Sequence, residues 1–194
     1  MKKFLALMLT VVMVFSVAAC GGEETTETTT ETTTETTTVV EEVEKEEITL
    51  IEAVTGNVSM LLPSDFTEFT AYEGYSVAAG PGASVVVAEM GEYLMDSTEM
   101  TEEAFIASTE GVYENVEIVD FGITDINGAT GTVGTFIGDS VNSGDTRSVM
   151  YIWYDTTDGT TNYNNSICFV YNTNGGTSLE TYFEDVLGSL SVLG

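Results

Sequence analysis

The residue types in this chain that could do acid–base or metal chemistry are almost all carboxylates. Its 194 residues include 32 Asp and Glu, 4 Lys and Arg, two cysteines and no histidine. Without histidine, the chain lacks the commonest general base, every Ser-His-Asp or Cys-His arrangement and the usual ligands of transition metals. A hydrolase built on two carboxylates stays open as an alternative, since acidic residues are too frequent here for their spacing to be informative.

Two segments combine glycine with the oxygen ligands that calcium prefers. They contain Asp139, Asn142, Ser143 and Asp145 around Gly144, and Asp155 and Asp158 around Gly159. Neither spacing matches an EF-hand loop, because the third position of the first would be Val141. Asp, Asn and Gly also form ordinary turns between strands, which is the simpler interpretation. We therefore assign no metal site and no cofactor, and keep a calcium-dependent binding module as an alternative.

The remaining chemical candidates are one thiol and a set of aromatic rings. Cys168 lies between Ile167 and Phe169 in an apolar run, which predicts a buried cysteine that packs as a small hydrophobe. Several rings either line a groove or pack beneath helices: Tyr72, Tyr75, Tyr151, Trp153, Tyr154, Tyr163 and Tyr171. No catalytic residue is assigned, so the sequence favours a non-enzymatic binding or assembly-support domain.

The first twenty residues have the pattern of an export signal. Residues 1–3 (MKK) are cationic, residues 4–19 are uncharged and mostly apolar, and small residues precede Cys20. The apolar run is shorter than the roughly 20 residues that a membrane-spanning helix needs. Cleavage near Ala18 or Ala19 by an ordinary signal peptidase, with Cys20 incidental, is the alternative.

Residues 17–20 (VAAC) resemble the lipobox of bacterial lipoproteins. The resemblance implies that residues 1–19 are a signal peptide and that an acylated Cys20 begins the mature protein. It also implies an extracytoplasmic location with a lipid anchor in the cell membrane. Cys168 is then left without a cysteine partner, so no disulfide is expected within the chain.

The charge of the chain limits its partners. The formal net charge is −28, and it becomes −30 if Lys2 and Lys3 are removed with the signal. Such a surface repels phosphate backbones, which argues against nucleic-acid binding. It also repels anionic headgroups, so acyl chains rather than basic residues would hold the protein at a membrane. The expected partners are the membrane, through the anchor, and an unidentified protein or small-molecule ligand.

Composition divides the rest of the chain into a linker and one domain. Residues 20–47 hold the lipidated cysteine and a Thr/Glu-rich segment, in which Glu27, Glu31 and Glu35 each precede three threonines. Such a segment buries too little apolar surface to offset its ordering entropy, so it is predicted to be a disordered, extended spacer. Residues 48–194 have the length of a single domain with a real core.

The sequence of the domain predicts strands interrupted by two helices. Thr101 is a plausible N-cap for a helix near 101–113, and Thr177 with Glu180 forms a capping box for a closing helix near 177–190. Asn127 and Gly128 predict a tight hairpin turn. The apolar run 166–171 predicts a central strand covered on both faces. This order predicts an α+β fold with a mainly antiparallel sheet flanked by helices.

Residues 58–66 (VSMLLPSDF) resemble the opening of PsbP-like domains, an apolar strand followed by Pro, a polar residue and an aromatic. The helix after the early hairpins, the Ile126-Asn127-Gly128 turn and the closing segment 183–190 fit the same family. The resemblance implies an α/β/α sandwich around an antiparallel sheet. The family includes the photosystem II extrinsic protein and many bacterial lipoproteins of unassigned function. No family metal-site residue can be matched here, so none is carried over.

Overall fold

The fold is seen in a computed structural model that describes residues 47–92 and 95–193. The signal, Cys20 and nearly all of the linker lie outside these residues. The strands are β1 Leu50–Thr55, β2 Val58–Pro63, β3 Thr70–Tyr72, β4 Tyr75–Gly80, β5 Ala83–Glu92, β6 Tyr113–Ile126, β7 Ala129–Ser140, β8 Thr146–Thr157, β9 Asn162–Asn172 and β10 Ser191–Val192. The α-helices are α1 Glu102–Thr109, α2 Ser178–Thr181 and α3 Phe183–Ser189, and Ser97–Glu99 form a 3₁₀ turn.

The strands form two sheets in which every pairing between named strands is antiparallel. The large sheet has the order β3-β4-β5-β9-β8-β7-β6, and the small sheet has the order β1-β2-β10. The hairpin predicted at Asn127 and Gly128 is present, with Ile126 paired to Ala129 and a φ of 102° at Gly128. A β-branched residue could not adopt that angle without strain, which explains the glycine.

The central strand β9 buries both of its faces, as its apolar sequence predicts. Ile167 and Phe169 join one core cluster with Ile152 and Tyr154 of β8. Cys168 joins a second cluster, on the opposite face, with Tyr151 and Trp153 of β8 and Phe105 of α1. Helices α2 and α3 and the small sheet cover the first face, and α1 covers the second. The domain is therefore α+β, with the layered arrangement that the PsbP-like resemblance implies.

Both predicted N-caps are made, but among the described residues the Glu180 side chain does not complete the capping box by bonding the Thr177 amide. Both helices are shorter than predicted, and the first ends at Thr109. Thr101 accepts a hydrogen bond from the Ala104 amide at 3.2 Å, and Thr177 accepts one from the Glu180 amide at 3.1 Å. The predicted helix over 177–190 is interrupted at Tyr182, which separates α2 from α3. Among the described residues, 47–92 and 95–193, no helix has the length and apolarity needed to cross a membrane.

Phe183 of α3 is half-buried rather than fully buried. Its ring contacts Phe169 and Tyr171 edge-on, at centroid distances of 5.7 and 5.6 Å. A fully buried Phe costs roughly 3–5 kcal/mol when truncated, so Phe183→Ala should cost about 2 kcal/mol. Urea unfolding of the full-length protein measures this. Glu184→Ala, at the exposed next position, should stay within roughly 0.5 kcal/mol, and equal losses for both variants would contradict the packing.

Candidate functional site

Most of the residues singled out by the sequence are part of the core or of turns. Tyr151, Trp153 and Tyr154 are buried, and Tyr163 donates a hydrogen bond to Asp158 at 3.0 Å. Cys168 is buried as predicted, and its burial raises the pKa of the thiol to about 12. A thiol with that pKa stays protonated at neutral pH and is a poor nucleophile. Cys20 lies outside the described residues, so its lipidation stays a prediction.

The carboxylates of the two candidate calcium segments serve as hydrogen-bond acceptors in turns. Asp139 accepts from Thr146 at 2.7 Å and from Asn115 at 2.8 Å, and these bonds lower its pKa. Asp158 accepts from the amides of Thr160 and Thr161, both at 2.8 Å. Within 47–92 and 95–193, no three His, Cys, Asp or Glu residues group where they could hold a metal ion.

We expect millimolar Ca²⁺ to leave the thermal melting temperature of the full-length protein unchanged. The oxygens of Asp139 and Asp158 are already engaged by protein donors, so calcium would have to break those bonds. A ligand present at about 100 times its dissociation constant would add roughly 2.7 kcal/mol, which a melt detects easily. A rise in melting temperature that Asp139→Asn abolishes would restore the calcium-dependent alternative.

One pair of aromatic residues from the sequence list does line a surface cleft. Tyr72 and Tyr75 face each other across the hairpin between β3 and β4, with Glu73 and Gly74 as its turn. Gly74 adopts a φ of 84°, which suits this turn and allows the two tyrosines to pair directly. Their rings stack with centroids 5.1 Å apart and an angle of 17° between planes. Tyr72 is 51% exposed, whereas Tyr75 is half-buried and packs against the second core cluster.

Two cavities lie along one part of the surface, which we call the β1–β3 seam, and this pair contributes to one of them. Two stretches line the seam: 51–57, from β1 and its turn, and 66–76, from the segment that carries β3. The stretches belong to different sheets, so no ladder of hydrogen bonds closes the space between them. The seam holds two cavities, which follow one another along these stretches.

The two cavities of the seam differ in character. The first has a volume of about 260 Å³ and is mainly apolar, with Glu52 and Glu68 at its wall. Its apolar lining consists of Ile51, Ala53, Val54, Leu62, Phe66 and Phe69. The second has a volume of about 170 Å³ and is lined by the Tyr72–Tyr75 pair, Glu89 and the β1–β2 turn. None of the described residues lining either cavity is basic.

Glu89 and Asn57 give the second cavity its polar character. Tyr154 donates a hydrogen bond from its hydroxyl to the Asn57 side-chain oxygen at 3.2 Å. Burial, and then the negative charge of Glu89, raise the pKa of Tyr154. Among the described residues, no hydrogen bond or ion pair reaches the Glu89 carboxylate. A negative charge therefore lies in this cavity with no hydrogen-bond or ion-pair partner among the described residues. Strand alternation places the Glu89 side chain on the same face as Val87, which is opposite to the face on which Tyr75 packs.

The only basic residue in the described part of the chain is Arg147, and it does not line the seam. Its side chain is buried at the start of β8, with its nearest carboxylate, Asp145, 3.7 Å away. The seam therefore has carboxylates and no local cation to neutralise them. Such a groove attracts positive groups and repels negative ones.

No protein-family model matches the sequence, and no curated protein matches it. Solved structures with a similar fold include the Ran-binding protein Mog1p of Saccharomyces cerevisiae, at 9% identity and a TM-score of 0.45, covering 76% of this chain and 96% of Mog1p. LpqN of Mycobacterium tuberculosis, which is involved in cell envelope biogenesis, matches at 9% identity and a TM-score of 0.47, covering 76% of this chain and 92% of LpqN. The Pseudomonas aeruginosa protein PA94 matches at 11% identity and a TM-score of 0.36, covering 70% of this chain and 89% of PA94.

Proposed function

We propose that this protein is a non-enzymatic binding protein, anchored by lipid to the extracytoplasmic side of a cell membrane, whose ligand occupies the β1–β3 seam. The observation that carries the proposal is the seam itself. It holds an apolar cavity of about 260 Å³ and an acidic cavity of about 170 Å³. The ligand that fits this arrangement has an apolar part and a positively charged part.

The size and lining of the apolar cavity support binding of a small apolar group. Ligand pockets for drug-sized molecules run from roughly 300 to 1,000 Å³, so this cavity suits a shorter chain or ring. Ile51 and Val54 are 45% and 53% exposed, which leaves apolar surface that a ligand would cover. Removing such surface from water contributes about 25 cal/mol per Å².

The chemistry of the seam favours binding over turnover. The chain has no histidine, and its described cysteine is buried with a raised pKa. The seam offers carboxylates, aromatic rings and backbone groups, which are recognition groups in the absence of an activated nucleophile. The alternative is a hydrolase that uses two carboxylates. Saturable turnover that is lost in Glu52→Gln or Glu68→Gln would favour that alternative.

The anchoring part of the proposal rests on the amino-terminal residues. A lipid on Cys20 and a Thr/Glu-rich spacer would hold the domain away from a membrane surface that repels its negative charge. In this arrangement the spacer gives the seam access to ligands outside the cell.

Site-resolved NMR tests the proposed seam. The protein is the full-length chain carrying Cys20→Ala, with ¹³C-labelled Ile, Leu and Val methyl groups, and the probe is 1-hexanol. We expect saturable shifts at the methyl groups of Ile51, Val54 and Leu62, which line the apolar cavity. Val54→Trp should block the cavity and abolish these shifts.

Val119→Trp is the matched control, because Val119 is an equally exposed strand valine on β6, outside the seam. It should leave the hexanol shifts intact. Shifts spread over unrelated methyl groups, or shifts that survive Val54→Trp, would overturn the seam as the ligand site.

A further inference from the structure

We infer that the ligand of the β1–β3 seam is an extended segment of a partner polypeptide, which adds to the free edge of β1 as a further strand and carries alternating apolar and basic side chains. This inference rests on the proposed function and names the class of its ligand. The geometry that points to it is an unpaired strand edge that opens into the apolar cavity.

The backbone of β1 has hydrogen-bonding groups that face away from its own sheet. β1 is the edge strand of the small sheet, with β2 as its neighbour. The Ser64 amide donates to the Thr49 carbonyl at 2.8 Å, so the pair at Thr49 is hydrogen-bonded. In an antiparallel ladder such pairs alternate with pairs whose N–H and C=O groups point away, so the backbone groups of Glu52 and Val54 face outward.

The other side of the small sheet gives the same assignment. Leu61 lies across from Glu52, and its amide donates to the Ser189 hydroxyl at 2.8 Å rather than to β1. Within 47–92 and 95–193, no hydrogen bond occupies the outward amide or carbonyl of Glu52 or Val54. Such an edge is a template for another extended chain, because main-chain hydrogen bonds supply affinity and pockets for alternate side chains supply specificity.

The apolar cavity lies along this edge. All four residues 51–54 line it, although successive strand side chains point to opposite faces, so the cavity follows the edge of β1 rather than one of its faces. Ile51 pairs with Leu62, which is buried in the first core cluster. Alternate side chains of an added strand would lie on this side of the small sheet, near Phe66 and Phe69, where apolar side chains fit.

Glu52 determines which side chains fit on the other side of the added strand. Its side chain is exposed and lies on the face opposite to that of Ile51. A partner residue directly across from Glu52 would place its side chain on the same face, where an opposite charge stabilises the pair and a like charge destabilises it. Glu68 adds a second carboxylate from the opposite wall, and no described residue that lines the cavity is basic. The positions between the apolar side chains therefore favour Lys or Arg.

Two other occupants of this edge fit less well. Residues 20–46 of the same chain are mainly Thr and Glu, so a strand formed by them would place carboxylates beside Glu52. A second copy of the chain would be repelled, since each copy has a formal net charge of −28. A basic segment of a partner polypeptide meets neither repulsion.

The test uses a heptapeptide with acetylated and amidated ends and the sequence Thr-Val-Lys-Val-Lys-Val-Thr. The protein is the ¹⁵N-labelled full-length chain carrying Cys20→Ala. We expect saturable NMR shifts along 51–54, and hydrogen exchange at the Glu52 and Val54 amides should slow roughly ten-fold when the peptide is bound. The amides of Ile51 and Ala53 already bond to β2, so their exchange should slow less.

Two matched peptides separate backbone pairing from charge. N-methylation of the backbone at both lysines keeps every side chain and removes the donors that would face β1, so this peptide should show no binding. Glutamate at both lysine positions keeps the strand pattern and should weaken binding roughly ten-fold. Undiminished binding of the N-methylated peptide would overturn strand addition, and undiminished binding of the glutamate peptide would overturn the basic partner.

Two variants of β1 test the same two features in the protein. Val54→Pro removes an outward N–H without removing a bond to β2, so it should abolish peptide binding, whereas Val54→Thr keeps that N–H and should retain binding. Glu52→Lys should reverse the preference between the lysine and glutamate peptides. Glu117→Lys on β6, outside the seam, is its control and should leave the preference unchanged. Peptide binding that survives Val54→Pro, or a preference that survives Glu52→Lys, would refute pairing with β1.

Two results with the free protein would assign the edge to another occupant and refute the partner segment. Slow exchange of the Glu52 and Val54 amides without peptide, lost when residues 21–46 are deleted, would assign the edge to the same chain. A dimer that Val54→Pro dissociates would assign it to a second copy.

The outcomes also separate this inference from the proposed function. Hexanol binding without peptide binding would leave the seam as a binding site for small apolar molecules and refute strand addition. Peptide binding without hexanol binding would support strand addition and refute the cavity as a site for a small apolar ligand. Failure of both probes would refute both.

Discussion

Phe105→Ala should destabilise the domain by roughly 3–5 kcal/mol, the largest effect we expect from a single truncation. Phe105 lies on α1, is fully buried and is the centre of the second core cluster. Its ring contacts four others, those of Phe121, Phe136, Tyr151 and Trp153, at centroid distances of 5.8, 5.7, 6.3 and 5.2 Å. A typical domain is stable by roughly 5–15 kcal/mol, so this loss would remove a large part of the total.

The packing around Phe105 explains why the cavity that Phe105→Ala creates cannot easily close. Gly134 of β7 lies directly beneath the ring, and a Cβ there would be 2.5 Å from the Phe105 Cε1 atom. The sheet backbone forms the floor of the site, and a hydrogen-bonded sheet moves little when a side chain is removed. The loss of stability therefore includes the free energy gained by removing the ring from water and the cost of the cavity that its truncation leaves.

Urea unfolding of the full-length protein measures this effect. Ile106→Ala is the matched control, since Ile106 is the next residue of the same helix and is 38% exposed. It should cost less than about 1 kcal/mol. Equal losses of stability in both variants would contradict the central role of the aromatic cluster, because alanine is a better helix former than either residue that it replaces.

Cys20→Ala should move the protein almost completely from the membrane fraction to the soluble extracytoplasmic fraction. The thiol of Cys20 is the only attachment point that the lipobox resemblance implies, and a membrane anchor held by acyl chains is lost with them. The described domain begins more than twenty residues later, so its unfolding curve should not change. Fractionation with immunoblotting measures the first effect, and urea unfolding measures the second.

Cys168→Ala is the control for the loss of a thiol as such. Cys168 is buried in β9, so this variant should lose some stability and stay in the membrane fraction. Mass spectrometry of the mature amino terminus shows directly whether Cys20 is the first residue and whether it carries a lipid. An unmodified Cys20, or a mature chain that starts at another residue, would refute the lipid anchor.

The local features of the fold could be predicted from the sequence because their causes are local. The run 151–154 lies in a strand, and successive strand residues point to opposite faces, so Tyr151 and Trp153 belong to one core cluster and Ile152 and Tyr154 to the other. The apolar run 166–171 indicated the central strand of the large sheet. Strand periodicity, caps and tight turns depend on neighbouring residues, and these are present in any sequence window.

Other boundaries were predicted less well where tertiary packing overrides local preference. Strands β7 and β8 extend into stretches predicted as loop and turn, because pairing in register with a neighbour continues the ladder beyond the apolar residues. The closing helix breaks at Tyr182, whose hydroxyl donates to the Ile48 carbonyl at 3.1 Å. That bond joins the two ends of the domain, so a sequence window around Tyr182 does not include the residue that accepts the bond.

The candidate site was decided by the tertiary structure. Tyr72 and Tyr75 were recognised as rings that line a groove or pack beneath helices, but their direct pairing depends on the Glu73-Gly74 turn, which has a weaker signal than Asn-Gly. Glu89 lies on the opposite face of the large sheet from the Tyr75 ring, and it lines a cavity with Gly56 because the small sheet covers that face. The sequence by itself determined the acidic charge, the α+β class and the buried Cys168, and it predicts the export signal. Which residues line each cavity depended on sheet order and layer packing, since these bring together residues that are far apart along the chain.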